Sequence, residues 1–308
     1  MKILVTGGAG FIASHVVDSY VQAGHSVTVI DDLSVGKQAN LNPTAGFYQI
    51  DIRNQIELEK LIARLKPEVI NHHAAQKFLR RSVEEPVEDA EINIIGSLNL
   101  INAAVKTGCR RFIFASTAAV YGDQSDQLPY REATLPLPIS PYGTAKLAVE
   151  HYLASYYHNQ ALSSISLRYA NVYGPRQDAH GESGVVAIFT EQLLKNQKPK
   201  IFGSGQQTRD YIYIKDVVRA NLLALESTFQ GEVNISTETE TSLLSVYKTL
   251  NELIGQPIEP AFNPAKKGDP TRLVLAKSEA EKVLAWQPKT SLADGLKQTV
   301  DWFRAQGK

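Results

Sequence analysis

The stretch that most constrains this chain of 308 residues is its beginning. Ile3 to Val5 form an apolar run that reads as a buried strand, and after Thr6 it breaks into Gly7-Gly8-Ala9-Gly10. A helical pattern of Phe11, Ile12, Val16, Val17, Tyr20 and Val21 begins directly after the glycines. A second apolar run, Val27 to Ile30, ends in Asp31 and Asp32. Strand, tight turn, helix and strand make a βαβ unit, the building block of a parallel sheet covered by helices.

The composition of that turn has a physical reason. A helix start offers unpaired N–H donors and the positive end of the helix dipole, both of which favour an anion such as a pyrophosphate. A side chain at Gly7 or Gly10 would block its approach. Ala13 fills the third small position, where helix meets sheet, and one methyl is tolerable there. Asp31 at the tip of the second strand is placed to accept hydrogen bonds from a ribose diol and to repel a 2′-phosphate, so NAD is expected rather than NADP.

Composition narrows the class further. The 32 basic and 32 acidic residues balance, which gives no basis for binding nucleic acid or a charged membrane surface. The single cysteine, Cys109, excludes an internal disulfide and a cysteine-based zinc site. No apolar run approaches the roughly 18 residues a membrane span needs, so the expectation is a soluble cytoplasmic protein.

Further along, Phe47 to Ile52 reads as a third strand ending at Asp51, which stands either in the row of strand ends where an adenine would rest or as the N-cap of a helix over 55–65. Glu68 to His72 is a fourth strand delivering His73-Ala74-Ala75-Gln76-Lys77 to the same edge. His72 and His73 have no third ligand at metal-binding spacing, so no metal is expected. A helix over 87–106 is expected to bury Ile92, Ile95, Leu98, Ile101 and Ala104, with Asn93 and Gly96 facing elsewhere. A fifth strand over 110–116 ends in Ser116-Thr117-Ala118-Ala119. Ser140 and Pro141 are good cap and first-turn residues for a helix over 141–159, which sets Tyr142 and Lys146 one turn apart. After a strand over 163–169 the regularity weakens. The expected division is 1–169 for the dinucleotide-binding part, with returns near 215–237, and an interleaved substrate lobe over 170–308.

A phenol, with a reference pKa of about 10, is a weak base at neutral pH, and a lysine cation one turn away together with an oxidised nicotinamide favours its phenolate. Tyr142 and Lys146 can then handle an alcohol proton while the ring takes the hydride, with a hydroxyl from Ser116 or Thr117 holding the same oxygen. With 13 tyrosines in the chain a Tyr-x-x-x-Lys spacing also arises by chance. A second one, Tyr211 and Lys215, lies in an alternating, strand-like segment that no cofactor motif points to.

Thr6-Gly7-Gly8-Ala9-Gly10-Phe11-Ile12, Asp31-Asp32-Leu33-Ser34, His73-Ala74-Ala75-Gln76, Ser116-Thr117 with Val120-Tyr121-Gly122, Tyr142-Gly143-x-x-Lys146 and Arg168-Tyr169-x-Asn171-Val172-Tyr173-Gly174-Pro175 together resemble the extended short-chain dehydrogenase/reductase family, and within it the nucleotide-sugar 4-epimerases. The resemblance covers almost the whole chain. It implies an α/β fold, a Rossmann-type doubly wound parallel sheet with a smaller mixed α/β C-terminal substrate lobe, and a homodimer. It implies NAD held by Gly7, Gly10, Phe11 and Ile12, by Asp31, Asp32, Leu33, Ser34 and Gly36, by Asp51 and Ile52, and by His73, Ala74, Ala75, Lys77 and Asn93 beside Tyr142 and Lys146. The implied catalytic set is Tyr142, Lys146 and Thr117, assisted by Ser116. Lys77, Thr117, Tyr142, Asn171, Val186, Arg209, Asp269, Arg272 and Leu273 would meet a UDP-sugar, whose diphosphate calls for amide and guanidinium donors.

Two departures choose among relatives. Sugar-nucleotide dehydratases of this family resemble one another in an Asp-Glu pair after the strand-end Ser/Thr, where this chain has Ala118 and Ala119. Asp178-Ala179-His180-Gly181-Glu182 is unsuited to the carboxylate of a uronic acid. The implied activity is inversion at C4 of a neutral UDP-hexose through a transient 4-keto sugar. A net dehydrogenase, reductase or dehydratase, and a cofactor-sensing protein without catalysis, are the rival readings. Leu273 aligns with a position that gates the C2 substituent, which leaves N-acetylated hexoses open.

Overall fold

The apolar runs of the N-terminal half become strands buried on both faces because helices cover the sheet from either side. A computed structural model describes residues 1–180, 184–255, 257–265 and 270–307. In chain order the first half contains β1 (Lys2–Thr6), α1 (Phe11–Gln22), β2 (Ser26–Asp31), β3 (Gly46–Gln49), α2 (Gln55–Leu65), β4 (Val69–His72), α3 (Leu79–Glu84), α4 (Pro86–Ala90), α5 (Gly96–Thr107), β5 (Arg111–Thr117), α6 (Pro141–Gln160) and β6 (Ser164–Tyr169). The second half contains β7 (Asn171–Tyr173), α7 (Val185–Leu194), β8 (Lys200–Phe202), β9 (Thr208–Tyr213), α8 (Ile214–Glu226), β10 (Gly231–Ile235), β11 (Glu240–Ser242), α9 (Leu243–Ile254), β12 (Ala261–Asn263), β13 (Arg272–Leu273), α10 (Ser278–Leu284) and α11 (Leu292–Ala305).

The main sheet has seven strands in the order β10-β6-β5-β4-β1-β2-β3, and every neighbouring pair is parallel. The chain winds outward from β1 to β3, then crosses back to place β4 on the other side of β1. That reversal opens a crevice beyond the C-terminal ends of β1 and β4, where open α/β sheets bind ligands. α1 and α8 seal one face with Val16, Val17, Tyr20, Val217 and Ala220. α2, α5 and α6 seal the other with Leu58, Ile62, Leu100, Ala104, Val149 and Leu153. Each fully buried side chain of this size contributes roughly 1.5–3 kcal/mol of transfer free energy.

A third core, with Phe189, Leu193, Val246, Leu250, Leu296 and Val300, holds α7, α9 and α11 around a small sheet. In that sheet β9 lies between β11 and β13 and also pairs with β7, while β8 and β12 form a separate two-stranded parallel sheet. The chain goes from β9 through α8 back to β10 on the edge of the main sheet, so second-half segments belong to both sheets. Tyr211 sits in β9 and Lys215 in the first turn of α8, so these two do not share a helical face.

Helix starts follow local chemistry. Ser140, Ser242 and Ser291 cap α6, α9 and α11 by accepting from the backbone N–H three residues on. Asp51 does not cap α2: Asn54 does, accepting from Glu57 N, while Asp51 pairs with Arg53 at 2.6 Å. The 87–106 stripe is also corrected. Glu91–Ile95 runs as a π-turn between α4 and α5, and this adds a residue to the turn and rotates the face. Asn93 and Gly96 therefore point inward with Leu100, Ile101 and Ala104, whereas Ile95 is half exposed. Among the described residues no helix is long and apolar enough to cross a membrane.

Candidate active site at the crevice of the parallel sheet

Gly7 leaves β1 at φ +70°, and a Cβ there would lie 2.7 Å from Ala74 N, inside the loop after β4. The turn closes with Gly10 N donating to Gly7 O at 2.9 Å. α1 then begins at Gly10 without a side-chain cap, unlike α2, α6, α9 and α11. Its first-turn N–H groups at Phe11 and Ile12 face a turn kept free of side chains. This is the donor set a pyrophosphate fits, and the cradle that a Cβ would fill suits a dinucleotide.

Asp31 is buried and has a structural task that the sequence pattern did not announce. Its Oδ2 accepts from Ala9 N at 3.0 Å and its Oδ1 from Leu33 N at 2.8 Å. It ties the glycine turn to the loop that follows β2, and a Cβ on Gly36 would meet the same carboxylate at 2.7 Å. Burial raises its carboxyl pKa while the two N–H donors oppose that rise. A carboxylate has about four lone-pair sites, so Asp31 can hold the turn and still accept from a diol. Asp32 is exposed and accepts from Ser34 N and Oγ. Ile52 is buried and packs on Gly96, where a Cβ would come within 2.6 Å of it.

The loop after β4 is fastened at two ends. Ala74 N donates to Thr6 Oγ1, which lies 2.7 Å from His72 Nδ1, and the other ring nitrogen lies 2.8 Å from Ser97 Oγ. Ser97 in turn donates to Asn93 O. Asn93 grips Gln76 in both directions, accepting from its N–H and donating to its carbonyl at 2.9 Å each. Asn93 thus shapes the loop that carries Ala75 and the exposed Lys77. His73 stacks on Tyr169, with ring centroids 6.1 Å apart, and burial brings its pKa down to about 3. Among the described residues no group of three or more His, Cys, Asp or Glu could hold a metal ion.

α6 presents Tyr142 and Lys146 beside the end of β5. Lys146 is 3% exposed, donates to Ala115 O at 2.9 Å, and lies 4.6 Å from the Phe114 ring centroid and 5.9 Å from that of Tyr142. Desolvation lowers its pKa to about 8, with Asp89 and Glu150 opposing. Desolvation pushes the Tyr142 phenol up to about 12, with the neighbouring Thr117 hydroxyl opposing the rise. Lys146 alone therefore does not bring the phenol to neutrality. Ser116 is corrected as well. Neighbouring strand residues face opposite sides, and Ser116 Oγ donates to Glu150 Oε1 at 2.5 Å within a buried ion pair, where Arg168 Nη2 meets Glu150 Oε2 at 2.6 Å. Thr117 faces the phenol and Ser116 does not.

On the substrate side, register places Leu273 opposite Arg209 and Arg272 opposite Thr208. Leu273 and Val186 are buried, Asn171 is exposed at the start of β7, and Arg209 Nη1 donates to Thr208 O. The fork of Arg272 is taken by Glu240, which also accepts from Thr208 Oγ1. Asp269 lies outside the described residues. Sequence reasoning missed Gln76, Asp89, Glu150 and Glu240. The Asp89-x-x-x-Asn93 spacing, two short polar residues one turn apart, was the available signal.

Comparison with known proteins agrees with this fold. Residues 3–236 match the NAD dependent epimerase/dehydratase family. A UDP-glucose 4-epimerase of Mycolicibacterium smegmatis is 42% identical over 311 residues, covering 99% of each chain. The crystal structure of a UDP-glucose 4-epimerase from Thermotoga maritima with UDP-glucose is 47% identical and superposes with a TM-score of 0.98 over 100% of both chains. That of a Thermus thermophilus UDP-glucose 4-epimerase complexed with NAD is 39% identical, with a TM-score of 0.94 over 99% of each chain. With its glycine turn, parallel sheet and Tyr-Lys helix, the chain belongs to the NAD dependent epimerase/dehydratase family.

Proposed function

We propose that this enzyme interconverts UDP-glucose and UDP-galactose by inverting C4 through a transient 4-keto sugar. The observation that carries the reading is the Thr117–Tyr142–Lys146 group at the end of β5, on the same sheet as the glycine turn and two strands from it, with Ala118 and Ala119 next to it leaving no acid-base pair for elimination of water. NAD bound at the crevice supplies a hydride acceptor and donor, and its positive charge favours the phenolate. Thr117 shares the substrate oxygen with Tyr142 and orients it. Tyr142 takes the proton of the 4-hydroxyl and returns it at the end of the cycle, while the Lys146 ammonium stabilises the phenolate. Arg209 and Asn171 supply donors for the diphosphate, and Val186 and Leu273 line the sugar side. Arg272 joins them only by leaving Glu240. Asp178 is engaged by Lys37 and His180 at 3.2 and 3.1 Å.

Exposed Val83, Val87, Ile95, Leu137 and Ile139 cluster around α4 and the approach to α6, a face suited to a second copy of the chain, so the working unit is a homodimer. The setting is the cytoplasm, as part of galactose metabolism, which suits the lone buried thiol of Cys109. The test is separate incubation with UDP-galactose, UDP-N-acetylgalactosamine and UDP-glucuronate while nicotinamide absorbance is followed. UDP-galactose should convert to UDP-glucose with flat absorbance. Accumulating NADH would identify a net dehydrogenase, and conversion of only another sugar would reassign the substrate.

A further inference from the structure

Asp89 is a buried carboxylate with no part in the scheme above. It lies on α4, 1% exposed, and its Oδ1 accepts from Gln76 Nε2 and Asn93 Nδ2 at 2.9 Å each. Its Oδ2 is buried with no hydrogen-bond partner among the described residues. A carboxylate oxygen in that state is costly unless a cation faces it. α4 packs against α6, and Asp89 shares a cavity of about 520 Å³ with Ser140, Pro141, Thr144 and Ala145 in the first turns of the Tyr142–Lys146 helix.

The other charges around this spot are accounted for. Glu150 on α6 is matched by Arg168. Glu88, beside Asp89 on α4, is matched by Arg81 of α3 at 2.7 Å, and Glu91 lies 4.0 Å from Arg53. Burial, with Lys146 adding to it, keeps His72 of β4 and His73 just after it neutral. Tyr142 carries no charge in the free protein. Apart from the exposed His151 and His158 of α6, what remains on the two packed helices is one ammonium and one carboxylate. Desolvation acts against both, and each opposes that effect on the other.

We propose that Asp89 is a positioning residue for the reaction: its Oδ1 locks Asn93 and Gln76 and so the cofactor-side loop 74–77, and its bare Oδ2 supplies the counter-charge that keeps Lys146 an ammonium. The inference rests on the reading of Tyr142 and Lys146 as the proton-handling pair. Losing the carboxylate charge would leave Lys146 with less opposition to desolvation, so its pKa would fall and less ammonium would face the phenol at neutral pH.

Asp89→Asn keeps an acceptor for Gln76 and Asn93 and removes the charge. The midpoint of the Lys146 ε-carbon NMR titration, assigned by its absence in Lys146→Met, should fall by about one pH unit. The alkaline limb of kcat should move with it, whereas a merely structural role would scale the profile without moving it. Should the amide variant not fold, Asp89→Ser repeats the measurement. An unshifted midpoint in a folded variant overturns the counter-charge. Asp89→Ala removes acceptor and charge together and should release NAD about tenfold faster than Asp89→Asn; equal release overturns the lock. A Tyr142→Phe enzyme at full turnover would sink the proton-handling reading while leaving the NMR shift intact, so the two failures are distinguishable.

Discussion

Ser116 and Thr117 are neighbours at the end of β5, yet they serve two networks built on opposite principles. On the Ser116 side, Arg168 meets Glu150 through Nε and Nη2 and donates to Tyr121 Oη, and Tyr121 donates to Asn234 Oδ1. Both charges are buried and each is matched. On the Thr117 side, the buried Lys146 has for hydrogen-bond partner a neutral carbonyl, and the phenol beside it is desolvated. α6 carries Tyr142, Lys146 and Glu150 at one-turn intervals and so supplies a member to each. A satisfied pair gives rigidity, and an ammonium one turn away that is hydrogen-bonded to no carboxylate gives a proton site whose state can change.

The largest expected effect breaks the satisfied side. Glu150→Gln leaves the Arg168 guanidinium buried without a counter-charge and should destabilise the fold by about 3–5 kcal/mol in denaturant titration. Replacing both with apolar residues, as Glu150→Leu with Arg168→Met, should recover much of that loss. If Glu150→Gln left stability intact and only altered turnover, the division between a structural and a reactive side would fail.

Next in size is Tyr142→Phe. Removing the proton-transfer group should lower turnover by roughly 10²–10⁴-fold. The NAD content of the purified protein, released by denaturation and counted, should not change, because the glycine turn and the 74–77 loop remain. Turnover equal to the parent enzyme would show that the Thr117 side is not where the chemistry happens.

How far the sequence foretold this contrast depends on the range of the interactions involved. The turn Gly7–Gly10, the start of α6 at Ser140 and Pro141, and the spacing of Tyr142 and Lys146 are local. Backbone sterics, capping and helix periodicity determine them within a few residues. The parallel sheet followed from apolar runs alternating with helical patterns. Ser116 was misplaced because its partner, Glu150, comes from a helix 34 positions later in the chain, and which side of β5 that helix covers is a tertiary fact. The π-turn over Glu91–Ile95 overrode the 3.6-residue period and turned Asn93 inward. β11 and β13 are three and two residues long and exist through pairing with β9, so no pattern within them announces a strand. The Arg272–Glu240 pair was illegible for the same reason, because pairing with β9 is what brings the two strands together.

The smallest of the effects is the most direct measure of the Lys146 charge. Lys146 has a folded-state pKa of about 8, below its ordinary value near 10.4. Below both values the folded state carries the full burden of a desolvated ammonium. Between pH 8 and about 10.4 the unfolded chain binds more protons than the folded one, so stability rises with pH across this window as the burden is relieved. Lys146→Met removes the charge at every pH and gives up the bond to Ala115 O, a loss of about 1 kcal/mol. At neutral pH the net result should be a protein roughly 1–2 kcal/mol more stable and without activity, and the gap to the parent should close as pH rises through the window. Urea unfolding of both proteins at several pH values measures it. A variant less stable than its parent at neutral pH would mean that Lys146 is as well matched as Arg168, and the two ends of β5 would then differ in geometry alone.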